Sequence, residues 1–438
     1  MTGSLARWLA EGQYLSYAYG YPHKTAYRPL DPPVPLRAIW SEEDRSALFL
    51  YVHVPFCEQR CGFCNLFTQV RPSDDTVQAY LAALEREADA VDESLGPRRF
   101  ARLAIGGGTP TFLDRAGLER LFRVVSRLGA AGVPASVETS PSTLDDARLE
   151  VLRAFGVQRV SMGVQSFDEG EVSRVQRRQR RAEVESAFRR LDSVIPVRNL
   201  DLMYGLPGQT ESSFVSSIEA AIECGANELY LYPLYVRPLT ILGRRAGAAQ
   251  DRRLPLYRAG RDWLSSHRWR QVSMRMFASP DRPAEAVDGA RPYRCQSDAM
   301  VGLGPGARSY TRGLHYSLPF AVGQEGIRDV IREYAGRTSE AHAYARHGFV
   351  LDVEEQRRRT LLLSLLEGEL VRHAYRARFG EDVLAHFPQL EELEATGLGV
   401  ITDASIRLVE RGIECADVIG HWLESDVVRL RRAEWSPR

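Results

Sequence analysis

Apolar runs and amphipathic stretches alternate along the chain from residue 48 to residue 234. Strand-like runs stand at "ALFLYVHV", "RLAIGG", "ASVETS", "VQRVSMGV", "PVRNLDLMYG" and "ELYLYPL". Between them lie segments such as "TVQAYLAALEREADAV" and "AGLERLFRVVSRLG", with apolar residues three and four apart, the spacing of one helix face. Strand then helix, repeated about six times, predicts an α/β fold of βαβ units around a parallel sheet. The unusual residues fall near the C-terminal ends of these strands. Cys57 follows the first and Gly106 ends the second; Glu138 lies late in the third, Gln165 after the fourth and Asp201 in the fifth. Barrels of (β/α) units build their catalytic face at those ends, so these residues are expected on one face.

The flanks read differently. Residues 1–47 predict an irregular arm, with aromatics crowded in "YLSYAYGYPHKTAYRP" and prolines in "PLDPPVP". Such an arm either covers a substrate or packs against the body. Residues 48–270 form the barrel, and 271–324 a Gly/Pro-rich connecting segment around "MVGLGPGARSY". Residues 325–438 read as a mainly helical domain with a β-like "GVITDASIRLV" before its last helix. Helix, helix, hairpin, helix is a winged-helix-like order. That order often binds DNA, but fold does not fix function, and its mixed charges favour a packing role.

Composition changes this picture little. A chain of 438 residues has room for two cores, and 57 basic residues balance 57 acidic ones. No nucleic-acid or anionic-membrane partner is therefore expected. Lys24 is the only lysine, read here as compositional bias rather than function. No apolar run reaches membrane-spanning length, and the N-terminus lacks the apolar core of a signal peptide. A cytoplasmic location is expected, where cysteines stay reduced.

That makes the cysteines informative. Three of the six, Cys57, Cys61 and Cys64, lie in "YVHVPFCEQRCGFCNLF" with spacing C-x3-C-x2-C. A structural zinc site wants four ligands, usually two C-x2-C pairs. No second pair exists, and His53 sits inside a strand. A [4Fe–4S] cluster normally takes four thiolates; three leave one iron open, and an open metal position signals chemistry. Gly62 and Phe63 let the loop wrap tightly and exclude water. Cys224, Cys295 and Cys415 are scattered and read as small buried hydrophobes. The segment "IGGGTPTFL" fails as a dinucleotide fingerprint because Thr111 stands where glycine is needed. Its glycines either leave backbone open to a small ligand or make a tight turn before a helix opened by Pro110.

On these residues the chain resembles the radical S-adenosylmethionine (SAM) superfamily, whose fold is a partial (β/α)6 barrel. The resemblance implies a [4Fe–4S] cluster on Cys57, Cys61 and Cys64, with one or two molecules of SAM. The open iron holds the SAM methionine end, and reductive cleavage gives a 5′-deoxyadenosyl radical that takes hydrogen from an organic substrate. An electron donor such as flavodoxin or ferredoxin is implied as a partner. More narrowly, "YVHVPFC", "GGGTPT", "VETSP", "MGVQSF" and "DLMYGLPGQT", in that order, resemble the oxygen-independent coproporphyrinogen III oxidase family with its haem-chaperone and methylase relatives. The tail from residue 355 resembles that family's C-terminal domain, and "YLSYAYGYPHKTAYRPL" the opening of a bacterial subgroup.

Carried over by residue, the resemblance gives Gly106, Gly107, Gly108 and Thr109 to the SAM amino group. It gives Glu138, Gln165 and Asp201 to further SAM contacts, and Arg177 to the SAM carboxylate, which suits a planar fork. Tyr51 is the candidate catalytic side chain. Asp201 also reads as a strand-end cap, Tyr51 as a strand aromatic, and the arginines around 177 as a solvated helix face. The chain departs from the oxidase at Leu66, where that family has a further cysteine. The region "GLGPGARSY" looks nearer to the chaperone and methylase relatives, yet Arg308 stands where the chaperone carries histidine. Three functions follow: a hydrogen-abstracting enzyme, coproporphyrinogen oxidase-like; a two-SAM methylase or SAM-fragment transferase; or a haem chaperone-like binding protein.

Overall fold

The computed structural model describes residues 4–18, 20–191, 194–237, 240–244, 251–283 and 299–436. Six strands, β1 (Leu48–Val54), β2 (Phe100–Gly107), β3 (Ala135–Thr139), β4 (Val157–Gln165), β5 (Val197–Tyr204) and β6 (Glu228–Pro233), run parallel side by side in chain order. Each is joined to the next through helix, which places the helices on one face of the curved sheet. The alternation along each strand decides the layers. Leu50, Val52, Ile105, Val137, Val160, Leu200 and Leu229 are fully buried and share one core with helix residues such as Leu84, Leu121, Phe188 and Phe214. The alternate positions, Tyr51, His53, Gly106, Glu138, Ser161 and Asp201, face the inside of the curve. The helices begin on designed caps: Ser73 accepts from the Thr76 amide ahead of Asp74–Leu95, with Asp74 and Asp75 in the first turn.

The sheet does not close. A seventh strand, β7 (Met300–Leu303), joins β1 in parallel, pairing Gly302 with Tyr51. Beyond it antiparallel strands Arg308–Tyr310, Leu314–Ser317, Tyr344–Val350 and Arg28–Pro35 extend that edge. At the opposite edge Met276–Ala278 and Arg270–Gln271 extend β6. The result is an open partial barrel within a thirteen-stranded sheet among the described residues.

Three expectations need correction. Residues 1–47 are not irregular: Leu5–Glu11 and Leu36–Ser41 are helical, and Arg28–Pro35 is a strand. Its four prolines lack the amides a central strand needs, and an edge position tolerates that. It pairs on one side only, Pro35 with Tyr344 and Arg28 with Gly348. The 271–324 segment is not a plain connection either, because it supplies β7 and strands on both sheet edges; residues 284–298, and Cys295 with them, lie outside the described residues. Finally, the stretch from Ile327 to Ala345 packs with the barrel rather than with the tail. Ile327, Ile331, Tyr334 and Ala345 pack into the barrel core.

From Val353 a second core begins. Helix Val353–Leu366, strand Glu369–Val371, helix Arg372–Phe379, the hairpin Gly399–Ile401 with Ser405–Leu408, and helices to Glu434 make a winged-helix-like unit. The N-terminal segment packs into it through Leu5, Ala18, Tyr21 and Tyr27. Asp417 of this unit takes Arg275 Nη2 at 2.7 and 2.8 Å and the Ala18 amide at 3.0 Å, all buried. A charge pair desolvated that way holds the unit against the barrel. Among the described residues no helix is long and apolar enough to cross a membrane.

Candidate functional site

The cysteine loop leaves β1 at Pro55 and is pinned by backbone bonds on both sides. The Gln69 amide donates to Pro55 O at 2.7 Å, Arg71 to Cys57 O at 2.9 Å, and Cys64 to Cys61 O at 3.0 Å. Gly62 donates to Val175 O at 2.7 Å, and Leu242 donates to Gly62 O at 3.0 Å. A Cβ at Gly62 would lie 2.9 Å from Val175 O, so glycine is required by close approach. All three cysteines of the loop are half-buried. Burial first, then the other two cysteines, push Cys57 up to about 12; burial and Cys61 raise Cys64 as well.

Among the described residues no three His, Cys, Asp or Glu side chains gather around one metal ion. A four-iron cluster spreads its thiolates over separate irons, so this does not count against it. Soft donors and part-exclusion of water fit such a cluster.

The glycines of "IGGGTP" have three different neighbours. A Cβ on Gly106 would lie 2.8 Å from the Glu138 carboxyl carbon; on Gly107, at φ +112°, 2.7 Å from the His53 ring; on Gly108, 2.4 Å from Phe56 O. The segment is thus both a tight turn and a place where backbone comes close to polar side chains. Gly108→Ala is expected to cost about 1–3 kcal/mol of stability, because the obstacle is backbone that cannot step aside. A urea midpoint equal to that of the parent would contradict this close fit.

Glu138 and Asp201 stand on the inner face, one strand either side of Ser161. Glu138 Oε2 accepts from the Gly107 amide at 3.0 Å. The side chain is accessible to solvent but lies within the curve of the sheet, where few waters can gather. Burial there, then the Asp201 carboxylate, push Glu138 up to about 7. Asp201 accepts from Asn199 Nδ2 at 2.7 Å and Ser161 Oγ at 3.2 Å. Burial outweighs these bonds and leaves it raised to about 6. An acid whose folded value is raised stabilises the fold most below its ordinary value, and that contribution is lost as pH rises through the folded value. Glu138→Gln should therefore gain stability relative to the parent between pH 5 and pH 8. A melting-temperature difference constant over that range would show that Glu138 is not so placed.

Gln165 has φ +74°, uncommon without glycine, at a register shift between β4 and β5. The turn brings its amide back over Gly163, whose Cβ would lie 3.1 Å from Gln165 Nε2 and 3.8 Å from Arg177 Nη2. Arg177 Nη1 donates to Cys61 Sγ at 3.2 Å, Nη2 donates to Gly163 O, and Nε donates to Gln179 Oε1 at 3.0 Å. Arg177 thus joins the cysteine loop to the end of β4. It is not on a helix, as expected, but in the turn between Glu169–Arg174 and Arg181–Leu191, which frees its guanidinium to point inward. Arg178 next to it is exposed and bonds Gln59 only through its backbone.

Tyr51 and His53 complete the inner face. His53 Nε2 lies 3.0 Å from Phe67 O, and Nδ1 lies 3.2 Å from Tyr51 Oη. Burial holds His53 down to about 4, so the ring is neutral. Its proton is then on Nε2, donated to Phe67 O, and Tyr51 donates to Nδ1. His53 was passed over in the sequence because a lone histidine in a strand has no evident partner. The signal was in the glycines: a Cβ at Gly107 or Gly306 would strike its ring at 2.7 or 2.6 Å, so "GGG" and "GLGPG" both make room for one imidazole. Of the other cysteines, Cys415 is buried and Cys224 only half-buried.

Residues 51–221 match the radical SAM superfamily. The oxygen-independent coproporphyrinogen III oxidase of Paracoccus denitrificans is 29% identical over 387 residues, 81% of this chain and 83% of that protein. The haem chaperone HemW of Escherichia coli K12 is 31% identical over 277 residues, 59% of this chain and 69% of that one. The solved structure of the Escherichia coli coproporphyrinogen III oxidase HemN, a radical SAM enzyme, has the same fold, with a TM-score of 0.78 at 23% identity over 95% of this chain and 98% of that one. The chain is a member of the radical SAM superfamily. Within it, the chain belongs to the oxygen-independent coproporphyrinogen III oxidase-like family, which includes haem chaperones.

Proposed function

We propose that the chain is an enzyme that binds a [4Fe–4S] cluster and SAM and abstracts hydrogen from an organic substrate. The observation that carries this reading is Arg177. Its guanidinium reaches Cys61 Sγ while standing beside Gln165 and the end of β4, so a cation joins the thiol loop to the polar inner face. Bound there, the cluster and SAM would supply a carbon radical able to break a C–H bond.

The chain's own residues bind and orient. Cys57, Cys61 and Cys64 hold the cluster, and the loop bonds at Gly62 keep the thiols on one side. The carbonyls of Gly106–Gly108, with Thr109, receive an ammonium, and Arg177 a carboxylate. Glu138, raised to about 7, accepts a ribose hydroxyl or an ammonium, and Gln165 and Asp201 add polar contacts. Tyr51 sits above with its hydroxyl held by His53; Tyr51 is the candidate for contact with the reacting atoms.

A haem-binding role is the second reading, favoured by the similarity to HemW and opposed by Arg308 in the position where histidine is expected. Anaerobic incubation with dithionite and SAM separates the readings. 5′-Deoxyadenosine with no methylthioadenosine and no S-adenosylhomocysteine is the expected result. Either of the latter products points to fragment or methyl transfer, and none of the three favours the binding protein.

A further inference from the structure

The one lysine of the chain is half-buried rather than fully exposed. Among 57 lysines and arginines only Lys24 is an amine. It sits half-buried on the fixed turn Lys24–Ala26, whose start is held by the His23 ring, Nδ1 lying 2.7 Å from Thr25 Oγ1. Its Nζ stands 3.6 Å from the centre of the Phe320 ring, and Phe320 is itself stacked on Trp435 at 5.7 Å. The amine is therefore seated by three remote parts of the chain. Arg308, Arg237 and Cys64 lie near enough for their charges to act on it. Among the described residues Nζ has this ring contact and neither hydrogen bond nor ion pair. Burial first, then Arg308 and Arg237, pull the amine down to about 7.

Three cations drawn together, one of them with no counter-charge, are costly without an anion. A compact ammonium also differs from a guanidinium in what it fits: it is a point charge with three donors rather than a planar fork. We propose that Lys24, with Arg308 and Arg237 beside it and Phe320 beneath, is a subsite for an oxyanion of the substrate, a carboxylate or a phosphate, next to the cysteine loop. This rests on the reading of the inner face as a substrate cavity. Lysine here is function, where the sequence alone suggested only bias.

A single lysine makes the test direct. The full chain, cluster-loaded and anaerobic, is treated briefly with acetic anhydride, and acetylation at Lys24 is compared with that of the N-terminal amine by mass spectrometry. Glutarate and inorganic phosphate are each compared with sodium chloride at equal ionic strength. The expected result is at least fivefold less Lys24 acetylation in glutarate, in phosphate or in both, with the N-terminal amine unchanged. Protection by one of the two identifies the group as carboxylate or phosphate. Equal labelling in all three salts overturns the proposal. So does full protection by SAM alone, or by cluster loading alone, since the amine would then serve those groups rather than a substrate. Arg308→Gln should reduce the protection at least threefold; unchanged protection overturns the shared subsite. Formation of 5′-deoxyadenosine is measured separately, so failure of the catalytic reading is distinguishable from failure of this one.

Discussion

Cys57→Ala, Cys61→Ala and Cys64→Ala should each hold almost no iron after anaerobic reconstitution, where the parent holds about four irons and four sulfides per chain. The loss should be complete because, in the proposed function, each thiolate would be the sole protein ligand of one iron. Two remaining ligands leave the cluster labile, and neighbouring groups offer no replacement: Thr109 Oγ1, 3.6 Å from Cys57 Sγ, is a neutral hard donor. The fold should survive, since the loop is held by backbone bonds at Gly62, Cys64, Gln69 and Arg71 rather than by the thiols. An unchanged far-ultraviolet circular dichroism spectrum with lost charge-transfer absorbance is the signature. Cys224→Ala, half-buried on the outer layer, and Cys415→Ala, in the second core, should keep a full cluster. Iron that stays with Cys61→Ala but leaves with Cys415→Ala would mean that the loop is not the cluster site.

The strands of the barrel were legible because a parallel strand under helices needs an apolar outer face. That requirement wrote "FLYVHV" and "LMYG" plainly into the chain. The inward placement of Glu138 and Asp201 was legible for a related reason: polar side chains in such strands are tolerated only toward the hollow, whereas their proposed roles came from the family resemblance alone. What stayed hidden was structure whose cause lies elsewhere in the chain. The Arg28–Pro35 strand hid behind its prolines, because nothing local says that an edge is available. The strand at Met300–Leu303 hid behind glycines at 302, 304 and 306. A Cβ at Gly302 would lie 2.3 Å from Arg308 O, and those at Gly304 and Gly306 2.6 Å from His53 atoms. These glycines answer to neighbours, not to flexibility. Arg177 was assigned to the site but to the wrong local structure. The arginine-rich run favours helix by propensity, and the pull of Gly163 O and Cys61 on one guanidinium overrides it.

Arg177→Ala should keep a normal cluster spectrum and bind SAM at least tenfold more weakly. The methionine end of SAM carries one ammonium and one carboxylate, and a water-poor cavity must match both. The glycine carbonyls and Glu138 can serve the ammonium, whereas Arg177 is the cation at the cysteine loop aimed along β4. Losing one charge-assisted contact costs about 1.5–3 kcal/mol, or roughly 10- to 150-fold in affinity. Two features keep the test specific. Arg177 donates to Cys61 Sγ with one nitrogen only, so its removal leaves all three thiols in place. Arg178→Ala removes an exposed guanidinium while keeping the backbone bonds to Gln59, and should alter neither the spectrum nor the affinity. Uncoupled 5′-deoxyadenosine formation at limiting SAM should fall with Arg177→Ala and recover at saturating SAM, because the lost group binds the methionine end and takes no part in breaking the sulfonium bond. A rate that stays low at saturating SAM would give Arg177 a role in the cleavage itself, and equal affinity in both variants would remove it from the site.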